Sequence, residues 1–295
     1  MEKKCLNVYA LIFNPTAGNG LARKVQQELA LELEKRGIAF TFMQTMHPGH
    51  ATELAAKAAQ DENVEAVIAI GGDGTAFEVA SGLKGTGKPF GIIPAGTGND
   101  FIKTTKTVKK PVEALNAILS GTPRKADVAT VNGRMFLNVC GCGFDVTTLE
   151  YMTEAKKHFK GILPYLIGLV RGIRHYRPVH VHVETNGEVI DQDALICAVA
   201  NGRFFGGGIE ICPAASIDDG MLDIVLLDHK PRWMIPFYLP LLLFGRVLKF
   251  PFTRHIRTQH VRIDSPGMKL QIDGEIFLLD SADIELLPGE LMLYW

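Results

Sequence analysis

The sequence predicts an α/β domain of the doubly wound kind followed by an antiparallel β domain with helical insertions. Strand-like and helix-like segments alternate with short loops from Leu6 to Ile93, the pattern of a parallel sheet with helices on both faces. Three of the strands end in glycine-rich turns, at 14–20, 71–75 and 94–101. From about Ala126 the texture changes to repeated β runs with hairpin signals at Asn132-Gly133 and Asn186-Gly187. The boundary is expected near 126–128, dividing the chain into domains 1–127 and 128–295.

Composition narrows the function classes. With 295 residues and 47% hydrophobic content the chain can bury two ordinary cores, so a soluble enzyme is the prior. A net charge of −1 offers no global attraction to nucleic acid, and polynucleotide binding is disfavoured. Five cysteines, at 5, 140, 142, 197 and 212, form neither a disulfide framework nor paired zinc-binding blocks. The start, Met1-Glu2-Lys3-Lys4, leads into an apolar run too short for a signal peptide, so a cytoplasmic location is expected.

Leu6 to Phe13 reads as the first strand, ending at Asn14-Pro15-Thr16-Ala17-Gly18-Asn19-Gly20 before a helical pattern from Leu21 to Arg36. Gly18 and Gly20 let backbone N–H groups approach a ligand, and Asn14 and Thr16 offer side-chain hydrogen bonds; an ordinary strand-to-helix loop has the same appearance. Ala39 to Thr45 is the second strand and His50 to Gln60 an Ala-rich helix. Val67-Ile68-Ala69-Ile70 then runs into Gly71-Gly72-Asp73-Gly74-Thr75, with a helix-like segment from Ala76 to Gly82. Paired glycines at the carboxyl end of a buried strand, with helix N–H groups just beyond, suit phosphate oxygens, and Asp73 can hold a metal or order a water. An Asp-capped glycine turn with nothing bound also fits these residues alone, so the weight falls on their companions.

Phe90 to Ile93 ends in Pro94-Ala95-Gly96-Thr97-Gly98-Asn99-Asp100-Phe101, which adds a second acidic candidate, Asp100. Gly82 to Lys88 imitates a P-loop, but Pro89 stands where Ser or Thr would bind Mg²⁺ and a strand follows, so a surface loop is expected. Gly141-Cys142-Gly143 is only half of a dinucleotide fingerprint. Lys103, Lys106, Lys109 and Lys110 read first as a solvated run and second as help for a phosphate.

The second half carries strand-like runs at Asp127 to Val131, Met135 to Cys140, Val179 to Glu184, Ala194 to Ala200, Leu222 to Leu227, Val261 to Ser265 and Leu270 to Ile272. Helical segments are expected over Thr153 to Tyr176 and Pro231 to Lys249. Trp233 to Phe244 is intensely apolar yet too short to span a bilayer. It reads as a core or packing helix, or as a membrane-surface contact beside Arg246, Lys249, Arg254 and Arg257; Ile162 to Val170 poses the same choice. Ser216-Ile217-Asp218-Asp219-Gly220-Met221-Leu222-Asp223 offers oxygen ligands for Mg²⁺ or Ca²⁺, or is an ordinary acidic turn. Gln271-Ile272-Asp273-Gly274-Glu275 sets a carboxylate at a tight turn. His180 and His182 share one strand face and read as exposed residues rather than metal ligands.

Taken in order, Asn14 to Gly18, Gly71 to Thr75, Pro94 to Phe101, Asp219 to Asp223 and Asp273 to Glu275 resemble the diacylglycerol kinase catalytic family, especially its soluble bacterial lipid kinases. Gly-Gly-Asp-Gly-Thr alone is shared with NAD kinases and 6-phosphofructokinases; Gly-Thr-Gly-Asn-Asp-Phe and Asp-Gly-Glu are more specific. The resemblance implies a nucleotide-binding α/β domain and a C-terminal β-sandwich, with ATP and a lipid meeting in a cleft. It implies that Asn14, Pro15, Thr16, Ala17, Gly18, Thr45, Gly71, Gly72, Asp73, Gly74, Thr75, Glu78 and Thr97 bind ATP. By the same resemblance Asp73 and Asp100 organise catalytic Mg²⁺, Ser216, Asp219 and the Met221 carbonyl hold a structural Mg²⁺, and Glu275 is the general base.

Phe77 stands where the family commonly has Asn, and Lys103 where Arg often follows Asn-Asp-Phe. The implied partners are ATP and a lipid alcohol presented at the inner face of the membrane, with no nucleic acid and with room for a homodimer. Diacylglycerol is the leading substrate. A sphingoid base, ceramide, monoacylglycerol or phosphatidylglycerol is the rival within enzymes, and a catalytically weak nucleotide-binding regulator the rival outside them.

Overall fold

The computed structural model describes residues 8–159, 161 and 163–295. Met1 to Lys4, Cys5, the Leu6 end of the predicted first strand and Ile162 of the 162–170 segment lie outside the described residues. Two compact units emerge: one takes in the chain up to Val128 together with Pro288–Trp295, the other Ala129–Leu287.

In the first unit the elements run β1 (Val8–Phe13), α1 (Ala17–Arg36), β2 (Phe40–Gln44), α2 (His50–Gln60), β3 (Val64–Gly71), α3 (Asp73–Leu83), β4 (Pro89–Pro94), α4 (Asp100–Thr104), α5 (Pro111–Ser120) and, as far as Val128, β5 (Arg124–Val131). The parallel sheet has the order β2-β1-β3-β4. From β1 the chain moves first to one side and then to the other, so the strand order reverses between β1 and β3, where open α/β sheets leave a crevice at the carboxyl ends. The strands are short apolar runs buried on both faces, as in β3, where Val67 to Ile70 are fully buried. One face packs on α1 through Val25, Leu29 and Leu33. Gly18, Asn19 and Gly20 take left-handed φ of 59°, 57° and 88°, so regular helix starts at Leu21, as the pattern predicts.

Two helices here escaped the sequence reading. α5 carries Pro111 in its first turn and buries Ala114, Leu115 and Ile118 at helical spacing, a signal overshadowed by the preceding lysines. α4 is a five-residue helix, too short for periodicity to reveal. The P-loop imitation is a turn between α3 and β4, in which Lys88 Nζ donates to the carbonyls of Asp61 and Val64.

The second unit continues with β6 (Arg134–Phe136), β7 (Val139–Gly143), α6 (Phe144–Lys156), α7 (Leu163–His175), β8 (Val179–Thr185), β9 (Glu188–Ala200), β10 (Phe204–Phe205), β11 (Ile209–Glu210), β12 (Leu222–Asp228), α8 (Ile235–Leu243), β13 (Thr253–Thr258), β14 (His260–Ile272) and β15 (Glu275–Leu293). Its pairings are antiparallel, in the order β13-β12-β9-β7-β14-β15, with β8 paired to both β9 and β14. Alternate residues divide between two cores. Cys140, Cys142, Cys197, Val199, Ile224 and Leu226 join one apolar cluster, while Val139, Ile196, Ala198, Val225 and Leu227 join another that includes residues of α8. The end of β15 belongs to the first unit, where Met292 and Leu293 pair in parallel with Pro89 and Phe90 of β4.

Several expectations change in detail. The helix expected over Thr153 to Tyr176 is two, α6 and α7, with Gly168 and Gly172 of α7 seated against Met152 and Thr148 of α6. The Met135 to Cys140 strand divides at Leu137-Asn138, and the two runs at 261–272 are one strand with an irregularity between Asp264 and Met268. The Pro231 to Lys249 helix is broken into short pieces, with Gly245 at φ 65°. β13 and β15 were unforeseen.

Candidate functional site

Three strand-end loops of the first unit meet at the reversal of strand order. A Cβ on Gly72 would lie 3.0 Å from Gly96 Cα, and one on Gly96 would overlap Gly72 Cα, so the two backbones touch where glycine alone fits. Gly18 is pressed onto the Ala95 carbonyl in the same way, and a Cβ on Gly71 would strike the Thr75 side chain. Asn14 Oδ1 accepts from the Thr16 amide at 3.0 Å and the Thr16 hydroxyl at 2.8 Å, which folds the first loop back on itself. A cavity of about 600 Å³ opens here. Its lining includes Asn14, Pro15, Thr16, Ala17, Gly18, Thr45, Gly72, Gly74, Thr75, Glu78 and Thr97 of the predicted set.

Gly71, Asp73 and Asp100 stand outside that lining. Glu78 has a second attachment, since its Oε2 accepts the Ala51 amide at 3.1 Å and so caps the start of α2. The cavity also takes in Gln44, Met46, His47, Pro48, Ala51 and Gly96. Of the 44–48 stretch the sequence reading chose only Thr45; the signal missed was the turn-rich His-Pro-Gly that follows a strand end. First-turn N–H groups of a helix lack intrahelical partners, so the start of α3 beside this cavity favours anions.

The acids lie next to the cradle. Asp73 Oδ1 accepts the Phe101 amide at 3.0 Å, bringing the start of α3 to the start of α4, and Asp100 is therefore its near neighbour. Asp100 is buried and pairs with Lys103 Nζ at 3.2 Å. Asn99, at φ 55°, donates to the Gly96 carbonyl, while its buried Oδ1 has no partner among the described residues. Two carboxylates and an orphaned amide oxygen make a hard-oxygen donor set that fits a divalent cation such as Mg²⁺.

In the second unit, Asp273 (φ 46°) and Gly274 (φ 90°) form the two-residue turn between β14 and β15. The Asp273 carboxylate accepts the amides of Leu137 at 2.6 Å, Asn138 at 2.9 Å and Val139 at 3.1 Å. Gln271 Oε1 accepts the Gly274 amide. Glu275 follows this anchored turn and is exposed, held by Arg134 Nη2 at 2.5 Å, with the guanidinium stacked on Phe277.

Around the other acidic turn, Asp219 accepts the Met221 amide and is ion-paired with Arg257, and the Ser216 hydroxyl donates to Asp218. The Ser216 hydroxyl, the Asp219 carboxylate and the Met221 carbonyl are chemically apt for a hard cation, with Arg257 as a cationic neighbour that such an ion would share or displace. His180 and His182 pair with Asp191, Asp193 and Glu184 on an exposed face, and those acids raise both imidazoles above their usual range. Asp145, at the start of α6, was not singled out by sequence. Burial pushes it up to about 7, and its Oδ1 has no partner among the described residues.

Residues 8–131 match the diacylglycerol kinase catalytic domain, and residues 138–295 match the YegS C-terminal NAD kinase beta sandwich-like domain. A diacylglycerol kinase of Staphylococcus carnosus (strain TM300) is 29% identical over 269 residues, covering 90% of this chain and 87% of that protein. One from Staphylococcus aureus (strain JH9) is also 29% identical, covering 90% and 85%. The crystal structure of a Bacillus anthracis str. Sterne protein assigned as a diacylglycerol kinase is similar at TM-score 0.81 and 27% identity, over 98% of this chain and 97% of that one. The chain belongs to the diacylglycerol kinase catalytic family, with a C-terminal domain of the YegS type.

Proposed function

We propose that this protein is an ATP- and Mg²⁺-dependent lipid kinase that transfers the γ-phosphate of ATP to the hydroxyl of diacylglycerol, giving phosphatidic acid. The observation that carries the reading is the interlocked glycine cradle of Gly18, Gly72 and Gly96 around a cavity at the reversal of strand order. Phosphoryl transfer asks a protein mainly for in-line positioning, charge neutralisation and a proton acceptor. In this reading 1–127 binds the nucleotide and 128–295 the lipid. The backbone of 14–18 and 71–75, with Thr45, Glu78 and Thr97, would hold ATP, and the side chains of Asp73 and Asp100 would hold a Mg²⁺ ion, which would supply charge neutralisation for phosphoryl transfer.

Glu275 takes the proton from the attacking hydroxyl, and Arg134 fixes the direction of its carboxylate. Ser216, Asp219 and the Met221 carbonyl would hold a second, structural Mg²⁺. Among the described residues no helix is long and apolar enough to cross a membrane. Trp233, Phe237, Leu243 and Phe244 are nonetheless exposed, at 70%, 72%, 50% and 75%, beside Arg246. Such an apolar, Arg-flanked patch suits the interface of a bilayer, and in this reading the kinase works from the cytoplasm on lipid in the inner face of the membrane.

The test is transfer of labelled γ-phosphate from ATP to a panel of lipid alcohols in mixed micelles, with wild type and Glu275→Gln in parallel. Labelled phosphatidic acid from wild type alone supports both substrate and base. A different labelled lipid changes the substrate and keeps the chemistry. Intact ATP binding with no labelled lipid overturns the kinase reading in favour of a regulator.

A further inference from the structure

Asp223, on β12, is fully buried, yet only one of its oxygens is accounted for. Its Oδ1 accepts from His255 Nε2 at 2.5 Å and lies 3.8 Å from Arg257 Nε, while Oδ2 has no partner among the described residues. A buried carboxylate oxygen without a partner is costly, and in a native structure it asks for an explanation. The register supplies the setting: Asp223 is opposite Arg257 and Val225 opposite His255, so His255 lies diagonally across from Asp223 on the same face.

The thiol of Cys212 reaches the same place from the segment after β11. One ligand atom each from Cys212, Asp223 and His255 lies within 4.8 Å of the other two. Cys212 and Asp223 are buried, whereas the His255 side chain is 28% exposed and leaves a way in from solvent.

We propose that Cys212, Asp223 and His255 form a binding site for one divalent transition-metal ion of the Zn²⁺ class. Sulfur, imidazole and carboxylate together are the donor set that such an ion prefers, and three protein ligands leave a fourth position for water. Donors bound at about 2.0–2.3 Å sit roughly 3.5 Å apart on a tetrahedral ion, so Asp223 Oδ1 and His255 Nε2, now 2.5 Å apart, have to separate to admit it. On binding, the Cys212 S–H bond is replaced by a sulfur–metal bond and one proton is released to water. The His255 Nε2 proton moves to Nδ1, and the nitrogen lone pair turns from Asp223 to the metal. Burial pushes the free thiol up to about 12, and the amides of Ala214 and Ala215 face its sulfur, ready to support the thiolate that a bound cation creates. The neighbouring Ser216, Asp219 and Met221 donors are all oxygen and suit a harder ion, so the two sites differ in chemistry as well as residues.

The experiment is Co²⁺ titration of the full chain, freed of metal by chelator and followed by optical absorption. Wild type is expected to develop a thiolate-to-cobalt charge-transfer band and the d–d bands of a tetrahedral centre at one equivalent, and to lose them when Zn²⁺ is added. Cys212→Ser should abolish the charge-transfer band. His255→Ala, at a partly exposed strand position, should weaken Co²⁺ binding by about 10-fold or more. Asp219→Ala should leave the bands in place. No charge-transfer band in wild type at saturating Co²⁺, its survival in Cys212→Ser, or its loss in Asp219→Ala with retention in His255→Ala would each overturn the site.

Discussion

The cradle of the first unit and the Asp273-Gly274 turn of the second both present candidate chemistry at the end of a strand, but different forces hold them. In the cradle the constraint is excluded volume: Gly18, Gly72 and Gly96 sit where a Cβ would collide with neighbouring backbone. In the turn the constraint is electrostatic, since one carboxylate gathers three amides from the β6–β7 connection. The first kind of site is broken by adding one carbon atom and the second by removing one charge. Their variants should therefore fail in different observables.

The largest effect is expected at Glu275, which the anchored turn presents. In the proposed reaction Glu275→Gln retains the shape and loses the proton acceptor, so turnover should fall by about 10²–10⁴-fold while ATP binding by calorimetry is unchanged. Turnover retained in this variant would remove Glu275 as the base. Next is the cradle itself. Gly96→Ala drives a Cβ into Gly72 Cα, and overpacking of this sort costs about 1–3 kcal/mol, so urea unfolding and ATP affinity should weaken together. Gly74→Ala is the control: its Cβ meets open space within α3, and stability should rise by about 0.5–1 kcal/mol. Equal losses in the two variants would show that glycine packing is not what holds the cradle.

Asp273→Asn probes the opposite kind of constraint. Weakening three charge-assisted bonds should cost about 1.5–3 kcal/mol and lower kcat through a misdirected Glu275, with ATP affinity intact. A fall in ATP affinity equal to that in Gly96→Ala would erase the distinction between the two sites.

The same contrast explains what the sequence disclosed. Alternating apolar runs and glycine punctuation identify β1 to β4 and their loops, because each constraint there is local and leaves a residue of unusual shape at the position concerned. Asp273 and Glu275 are visible as residues, but their partners lie 134–141 positions away, at Leu137, Asn138, Val139 and Arg134. No spacing rule links such pairs. β15 was missed for a related reason: its buried Ala282, Ile284 and Leu286 alternate with Asp283 and Glu285, but polar residues at Asp280 and Ser281 and then Pro288-Gly289 interrupt the pattern. Cys212 and His255 are unremarkable in sequence and Asp223 stands out only as the end of an acidic turn; the β12–β13 register brings the last two together.

The smallest effect, and the sharpest in form, concerns Asp145, which lies in the same unit as Asp273 but in the opposite situation. Asp273 is surrounded by donors; Asp145 is buried with one oxygen lacking a partner among the described residues, and burial raises it to about 7 although the amides of Asp145 and Val146 pull the other way. Its pKa is raised on folding from an ordinary value near ~3.9, so between about pH 4 and 7 the native chain holds a proton that the unfolded chain has lost. The stabilising contribution is thus fully present below about pH 4 and is lost as pH rises through about 7. Asp145→Asn removes that titration. Its urea midpoint should change less than wild type's between pH 5 and pH 8, and at pH 8 it should be the more stable by roughly 1–3 kcal/mol. If the two proteins instead run parallel across that range, the Asp145 carboxyl is as well accommodated when charged as the one at Asp273, and burial is not what separates them.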